Sequence, residues 1–503
     1  MLRKLFKAGS LVFLGILLGR LSGFFRESVL ATNLGITNQA DIAVLILTLP
    51  DLLINILIGG AMGAALIPEM KQLGQKEAWR LFLQSSVLIC AFFSLLSIVL
   101  IMSASYIVTI FAPGFSIEDI QVTSHLLVIV SWSIPITAMT AVATSFLQAN
   151  NKFFTAALGT LIFNLTIITA LLFPSENKLS ILSYSILLGA VIRYVSQVIN
   201  SVSMYERTNV WNGMLVHKQL ILKYFQALAT GGLIFLLPVI ARIIGSYEGT
   251  GSQAMINYSN KFIELPLGAI LTVFPVVLFP KLSQLFSNQE TEKQGISIAR
   301  ESLRLVFILS VVMAISLSWF SLDFIKALFG QGSIPGESIK KIAYLTSLGL
   351  LALPAQGMSA MTQVIFNSKS DMKSPFYISL WAVIVYLLLA SVLQPRFSIE
   401  GVIVALVIVN WAVLISHLIV LRIKHSLDLY SIFLGMASLK VLCASAAAFV
   451  PIAYLSVKIS HNWFVGVIFA LVGGTISLLA SLIILKEYRE YLFQLLRRRK
   501  LHD

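Results

Sequence analysis

Residues 66–73 have the sequence LIPEMKQL, and residues 278–285 have the sequence LFPKLSQL. Each octapeptide ends an apolar segment that is long enough to cross a membrane. Each segment also carries a Leu-Pro pair further upstream, Leu49-Pro50 in the first and Leu265-Pro266 in the second. Two matching features in the same order indicate an internal repeat of the chain.

The two copies of the repeat are six apolar segments apart. An even number of membrane crossings returns the chain to the same side, so the copies have the same orientation. This is the arrangement of parallel repeats, which are related by an axis along the membrane normal in some transporters. The sequence therefore predicts two six-helix lobes, 1–205 and 206–425, followed by two extra helices and a basic tail, 426–503.

The composition independently requires a membrane protein. The chain has 503 residues, of which 58% are hydrophobic and only 12% are charged, and its mean hydropathy is +0.90. Soluble domains carry about 25% charged residues, because their surface must face water. We count about fourteen apolar segments near the length of ~20 residues that a spanning helix needs. The predicted class is an all-α polytopic membrane protein.

The formal net charge of +14 is explained by topology. When alternate loops are assigned to opposite sides, one side with both termini holds roughly 23 Lys and Arg residues and the other roughly 6. This bias predicts that both termini are cytoplasmic. Patches of basic and aromatic residues are absent from the sequence, so nucleic acid is not a predicted partner.

Signatures of enzymes are missing from the sequence. It has neither a phosphate-binding glycine loop with Lys-Ser/Thr nor a GxSxG or HExxH motif. The two cysteines, Cys90 and Cys443, each lie within an apolar segment. We therefore predict no catalysis, no cofactor and no metal site. Any transport by this chain would have to use an ion gradient, the membrane potential or the substrate's own gradient.

Ionisable residues within apolar segments are the candidate site, because a charge in the bilayer costs several kcal/mol. The candidate cations and carboxylates are Arg20, Arg26, Lys261, Glu27, Asp41, Asp51 and Glu264. In one interpretation the cations line a water-filled cavity and bind an anionic substrate, with the planar fork of arginine suited to phosphate. In the other, Arg26-Glu27 and Lys261-Glu264 are internal ion pairs. For three further cations, Arg193, Arg242 and Lys440, we expect side chains that extend to the interface.

Several segments resemble the MurJ/MviN family. They are 20–27 (RLSGFFRE), 49–53 (LPDLL), 146–153 (FLQANNKF) and, most specifically, 257–268 (NYSNKFIELPLG). The family belongs to a superfamily of multidrug, oligosaccharidyl-lipid and polysaccharide exporters. Its members flip lipid II, the undecaprenyl-pyrophosphate-linked peptidoglycan precursor, across the bacterial inner membrane.

This resemblance implies two lobes around a cationic cavity and a C-terminal groove for the lipid tail. The implied partners are a lipid-linked glycan substrate, membrane lipids and proteins of cell-wall synthesis. Five residues match family positions that are important for function: Arg20, Arg26, Asp41, Lys261 and Glu264. The family usually has arginine where this chain has Lys261, which keeps the charge but lacks the fork.

Three departures from the family pattern leave alternatives open. Ile54-Asn55 stands where many members have basic residues, and Gly59 stands where some have glutamate. Ala241-Arg242 stands where some members have an acidic residue that helps to hold sodium, so sodium coupling is not supported. The alternatives are a flippase for another lipid-linked glycan (an O-antigen or exopolysaccharide unit), a cation-coupled multidrug exporter and a non-transporting scaffold.

Overall fold

The part of the chain that the structure describes folds into helices and connecting turns. The computed structural model describes residues 2–53, 62–206, 209–211, 213–224, 233–271, 273–287, 289–330, 332–429, 436–459 and 462–484. Within these ranges no strand occurs. The all-α prediction is therefore confirmed.

The helices are numbered in chain order. Helices α1 to α9 are Leu2–Leu34, Asn38–Leu53, Met62–Gln72, Gln75–Met102, Ala104–Phe111, Ile117–Ser131, Ser133–Ala149, Phe153–Leu172 and Lys178–Val202. Helices α10 to α19 are Leu236–Gly245, Ser252–Pro266, Val273–Phe286, Gln289–Trp319, Ser321–Phe329, Gly336–Leu350, Leu353–Ser368, Lys373–His425, Met436–Lys458 and Trp463–Ile484. A short helix also covers 218–224.

Many of these helices are suited to a bilayer. Eight helical segments in the described ranges are long and apolar enough to cross a membrane, and α15 with α16, which meet at 44°, make a ninth. Helix α17 has 53 residues, a length of ~80 Å against a hydrocarbon core of ~30 Å. Its backbone leaves the helical conformation at Ser398, so α17 consists of two helices joined at a kink, each of spanning length. The multi-pass class is confirmed, while the number fourteen stays a prediction.

The break in α17 is held by a carboxylate. Ser398 has φ 54° and ψ −140°, a conformation that costs a non-glycine residue about 1–3 kcal/mol. The side chains of Ser398 and Gln394 both donate hydrogen bonds to Glu248. These charge-assisted bonds stabilise the break.

One compact unit of the chain comprises Met1–Lys261, Gly332–Pro335 and Val383–Val402. Part of its core is aromatic: the ring of Phe146 stacks on Phe82 at 5.0 Å and meets the edge of Trp79 at 5.5 Å. Helices α1 and α8 approach closely at Gly15, where an added Cβ atom would lie 2.5 Å from Cβ of Ala157. Small residues allow such close helix contact in membranes.

The second compact unit comprises Phe262–Gln331, Gly336–Ala382 and Ile403–Asp503. Helices α18 and α19 pack against each other, with the hydroxyls of Ser445 and Ser481 2.8 Å apart. Ser316 of α13 donates a hydrogen bond of 2.7 Å to the carbonyl of Ala470 on α19. The last two helices are thus joined to the body of this unit by polar contacts as well as apolar packing.

The two octapeptides of the repeat lie in comparable local structure. Residues 66–72 end the short helix α3, and residues 278–285 lie in the last turns of α12. The chain before α12 is broken after Pro266 by a π-helical turn, Leu267–Leu271. The parallel relation of the repeats and the lobe boundaries 1–205, 206–425 and 426–503 remain predictions.

A polar cluster connects the start and end of α17. Asp371 precedes the helix and lies 2.8 Å from Nζ of Lys424 and 2.9 Å from Nε2 of His425, while Ser374 Oγ donates to it at 2.7 Å. Burial raises the pKa of a carboxyl. Here hydrogen bonds from Lys424, Ser374 and His425 outweigh burial and hold the pKa of Asp371 below its usual range.

This cluster predicts a pH-dependent contribution to stability. The lowered pKa makes the stabilisation by Asp371 fully present above the unfolded pKa of about 3.9 and progressively lost as the pH falls below it. We expect Asp371→Asn to destabilise the protein by about 1–3 kcal/mol at pH 7. The difference in Tm between wild type and variant should shrink below about pH 4. Thermal unfolding in detergent from pH 7 to pH 3 checks this, and a difference that does not change with pH contradicts it.

Candidate functional site

Arg26 is the centre of a buried group of charges. It lies on α1, its side chain is only 3% exposed, and its guanidinium faces Asp51 of α2. Nη2 donates to Asp51 Oδ2 at 2.6 Å, and Nη1 donates to Oδ1 at 3.0 Å. Nη2 also donates to Oε1 of Glu27 at 2.7 Å. The contact with Asp51 is bidentate, which is the strongest arrangement for an arginine and a carboxylate.

Lys261 of α11 completes this group. Its Nζ lies 3.9 Å from Oδ2 of Asp51, the same oxygen that contacts Arg26. The Lys261 and Asp51 side chains are 18% and 22% exposed, whereas that of Glu27 is 2% exposed. We call Arg26, Glu27, Asp51 and Lys261 the ion-pair cluster. Its two cations and two anions balance, and its accessible side is formed by Asp51 and Lys261.

Neutral side chains hold Arg26 on its α8 side. Nη1 of Arg26 donates to Oδ1 of Asn164 at 3.2 Å. The amide nitrogen of Asn164 in turn donates to the hydroxyl of Ser22 at 3.0 Å and to the carbonyl of Gly19 at 3.3 Å. Because both ends of the amide are occupied, its orientation is fixed, and it presents an acceptor to the guanidinium.

A second chain of hydrogen bonds holds Glu27. Nδ2 of Asn257 donates to Glu27 Oε2 at 2.7 Å, and Arg242 donates to Oδ1 of Asn257 at 2.8 Å. The three residues belong to α1, α11 and α10. Glu27 is thus bound by both Arg26 and Asn257, and each carboxylate oxygen has its own donor.

Asp41 connects α2, the helix that also carries Asp51, to the start of α11. Its carboxylate is buried and accepts hydrogen bonds from the backbone N–H groups of Gly251 and Ala254, at 2.5 and 2.8 Å. These groups belong to the start of α11, where backbone donors have no partner within the helix and the helix dipole favours an anion. The hydroxyl of Tyr258 also donates to the carbonyl of Gly35 at 3.1 Å. Together these contacts fasten the first turns of α11 to α2 and to the turn before it.

The structure brings four of the seven candidate residues together, namely Arg26, Glu27, Asp51 and Lys261. The predicted Arg26-Glu27 ion pair is confirmed. Arg20 is exposed and lies nearly two turns before Arg26 on α1. Glu264 is half-buried, one turn after Lys261 on α11, and its pairing with Lys261 stays a prediction.

The prediction that Arg193 and Arg242 extend to the interface is wrong. Arg193 is 1% exposed and donates to Oγ1 of Thr160 at 3.1 Å, because its position on α9 faces α8 rather than lipid. Arg242 instead joins the hydrogen bonds around Glu27. Lys440 is exposed, as expected. Ile54, Asn55 and Gly59, where the sequence departs from the family pattern, lie outside the described residues.

Sequence reasoning missed Asn164 and the role of Asn257. The available signal for Asn164 was a single amide within an apolar segment of spanning length, LIFNLTII at 161–168. Such a group must find a hydrogen-bond partner when it is buried in a membrane. Its partner, Arg26, is 138 positions away in sequence, so no local pattern could identify it.

The fold together with this site defines a class of polytopic helical membrane transporter. A solved structure described as "Lipid II flippase MurJ, inward closed conformation" superposes with a TM-score of 0.78 at 21% identity, covering 96% of this chain and 99% of the other. An inward-facing multidrug resistance MATE family transporter of the MOP superfamily gives a TM-score of 0.66 at 13% identity, covering 82% of this chain and 98% of the other. At these identities the likeness concerns the fold.

The family is shown by sequence. The family model described as "Lipid II flippase MurJ" matches residues 30–473, so the chain belongs to the MurJ family. A probable lipid II flippase MurJ of Rhizobium tropici is 26% identical over 461 residues, which is 88% of this chain and 85% of the relative. Lipid II flippase MurJ of Burkholderia cenocepacia is 23% identical over 402 residues, 76% of this chain and 77% of the relative.

Proposed function

We propose that this protein translocates lipid II across the bacterial cytoplasmic membrane by alternating access, with both termini in the cytoplasm. The observation that carries the proposal is the ion-pair cluster of a MurJ family member, in which Arg26 and Lys261 share one oxygen of Asp51. Two cations that meet at one acidic oxygen are suited to the oxygens of a pyrophosphate.

Three basic residues perform the capture in this proposal. Lys261 and the exposed Arg20 attract the anionic headgroup, and Arg26 binds it through its fork. Glu27 stays bound to Arg26 and orients it, because a carboxylate with two donors fixes the plane of the guanidinium. The polyprenyl tail remains in lipid along α18 and α19, whose lipid-facing positions include Leu442, Val450 and Leu471.

We assign a gating role to Asp41, while Glu264, one turn after Lys261 on α11, is proposed for either a gating or an ion-pair role. Asp41 caps the start of α11, the helix that carries Lys261 two to three turns further on. Release of this cap frees the first turns of α11 to move away from α2, which would carry Lys261 away from Asp51. Opening at Asp41 and exchange at the ion-pair cluster are thereby linked through one rigid helix.

The membrane potential acts on the charges that cross the membrane during the cycle. A potential of 100 mV acts on each elementary charge with about 2.3 kcal/mol. Movement of Arg26 and Lys261 together with a pyrophosphate reduces the net charge carried, and so reduces the influence of the potential on the step. Neutralisation of the headgroup by the protein's own cations also lowers its cost in the low-dielectric interior.

Depletion of the protein in its own bacterium tests the proposed function. We expect lipid II on the outer face of the membrane to fall and the cells to lyse. Normal lipid II exposure with a missing surface polysaccharide would favour another lipid-linked glycan, for which the absence of basic residues at 54–55 is the supporting observation. Normal levels of both would favour drug export or a scaffold, and proteins of cell-wall synthesis would then be the partners to seek.

The cap at Asp41 gives a separate prediction. Asp41→Ala removes the acceptor of two backbone donors, and we expect a loss of about 0.5–2 kcal/mol in stability together with a clear decrease in translocation. Asp41→Asn keeps one acceptor oxygen, so its stability and its translocation rate should lie between those of Asp41→Ala and wild type. Thermal unfolding and a translocation assay measure the two effects. Asn38→Ala, an exposed change on the same helical turn, is the control, and equal behaviour of the two alanine variants contradicts the gate.

A further inference from the structure

The two cations of the ion-pair cluster already hold an anion. Oδ2 of Asp51 lies 2.6 Å from Nη2 of Arg26 and 3.9 Å from Nζ of Lys261. Because this carboxylate lies between the two cations, an anionic ligand that binds both of them must displace it. Asp51 is therefore a competitor for the ligand, and it is built into the chain.

Only one of the two carboxylates on Arg26 is suited to exchange. Glu27 is 2% exposed and has a second donor, Asn257, so displacing it would leave a buried charge and a buried amide without partners. Asp51 is 22% exposed, and its contacts in the cluster are with the two cations. When Asp51 leaves, Arg26 keeps Glu27, and the departing carboxylate reaches the accessible side of the site.

We propose that Asp51 competes internally with the substrate's pyrophosphate for Arg26 and Lys261 and thereby sets the affinity that a ligand needs to occupy the site. This inference rests on the proposed function and concerns the same site. Asp51 lowers the affinity for every anion by the same factor, because each ligand displaces the same carboxylate. A ligand of low affinity then leaves the site mostly empty at its concentration in the membrane, whereas a ligand of high affinity still occupies the site.

The charge of a ligand decides whether its affinity for Arg26 and Lys261 is high enough to displace Asp51. A phospholipid phosphodiester carries one negative charge, which is the charge of the carboxylate it must replace, so the exchange gains little. A pyrophosphate diester carries one negative charge on each of its phosphates and can present separate oxygens to Arg26 and Lys261. Asp51 thus keeps the site largely clear of bulk anionic phospholipids while no substrate is bound, because their affinity, once lowered, is too small for occupancy.

The same competition assists release. A transporter that binds its substrate too tightly cannot discharge it on the other side of the membrane. Asp51 remains close to the site throughout, tethered by the chain at a high effective concentration. Its return to Arg26 and Lys261 restores the balanced cluster as the pyrophosphate leaves.

Binding of inorganic pyrophosphate to the purified full-length protein tests the inference without requiring lipid II. We expect Asp51→Asn to bind pyrophosphate about tenfold more tightly than wild type, or better. Asp51→Glu retains a competing carboxylate and should stay near wild type. Glu27→Gln raises the net charge beside Arg26 by the same one unit as Asp51→Asn, but it leaves the Asp51 carboxylate between Arg26 and Lys261. We therefore expect at most about a threefold gain in pyrophosphate affinity. Calorimetric titration gives the dissociation constants.

A second measurement, with wild type and Asp51→Ser, tests the inference if the Asp51→Asn protein does not fold. In proteoliposomes with increasing phosphatidylglycerol, wild-type translocation should be insensitive to that lipid, while Asp51→Ser should be inhibited progressively. Unchanged or weaker pyrophosphate binding by the folded Asp51→Asn protein overturns the inference, as does equal sensitivity of wild type and Asp51→Ser to phosphatidylglycerol. Tighter pyrophosphate binding in Asp51→Asn, with no lipid II translocation by wild type, supports the role of Asp51 and rejects lipid II as the substrate.

Discussion

Replacement of Arg26 by alanine is expected to abolish translocation. The change removes the only bidentate contact of the ion-pair cluster and the fork that binds pyrophosphate in our proposal. It also leaves Glu27, which is 2% exposed, without its cation. Breaking a buried pair by removal of one partner costs about 3–5 kcal/mol. Activity should be measured in proteoliposomes with labelled lipid II, and stability by thermal unfolding of the same preparation.

Two further variants separate the loss of function from the loss of stability. Arg26→Ala combined with Asp51→Asn removes one cation and one anion, so it should recover part of the stability but none of the translocation. Arg304→Ala is the control, since Arg304 contacts Glu301 at 3.5 Å on a different helix, α13, and activity within about twofold of wild type is expected because such a partly exposed pair contributes little. Wild-type rates in Arg26→Ala contradict the assignment of this residue.

Replacement of Lys261 by methionine has the second largest expected effect. Methionine has nearly the same length, so packing is kept while the charge is lost. A hydrogen bond to a charged group is worth about 1.5–3 kcal/mol, which corresponds to a decrease of about tenfold to a hundredfold in translocation at low substrate concentration. The initial rate in proteoliposomes measures this effect.

Lys261→Arg provides the complementary test. It restores the residue that the family usually carries and adds a fork, so we expect translocation at least equal to that of wild type. Lys340→Met is the matched control, because Lys340 is 63% exposed and pairs with Glu337 on the surface of α15. If Lys261→Met and Lys340→Met have the same rate, Lys261 does not bind the substrate.

The class of fold was predictable because it depends on composition and local pattern. Too few charged residues for a soluble surface, together with apolar segments of spanning length, already require a helical membrane protein. The break of α17 at Ser398 agrees with this pattern, since it divides a 53-residue helix, far longer than one crossing needs, into two segments of spanning length. The number of spans is harder to predict, because a proline such as Pro266 can divide a helix that the hydropathy pattern represents as continuous: α11 ends there and a π-helical turn follows.

The members of the site were predictable, whereas their contacts were not. A charge within an apolar segment is visible in the sequence, and this identified Arg26, Asp51 and Lys261. Their partners depend on which helix faces are turned toward each other, which the sequence does not specify for residues 25 or more positions apart. The burial of Arg193 illustrates the same limit, because its position on α9 fits both an interfacial and an interior side chain.

We propose that this protein moves lipid II by means of Arg26 and Lys261. Reconstitution of the purified protein into liposomes with fluorescent lipid II, followed by chemical quenching from outside, measures the movement directly. Wild-type protein should make the inner pool of lipid II accessible to the quencher, while Arg26→Ala should leave it protected, as in empty liposomes. Contradiction would come from an inner pool that stays protected with folded wild-type protein, or that becomes equally accessible with Arg26→Ala.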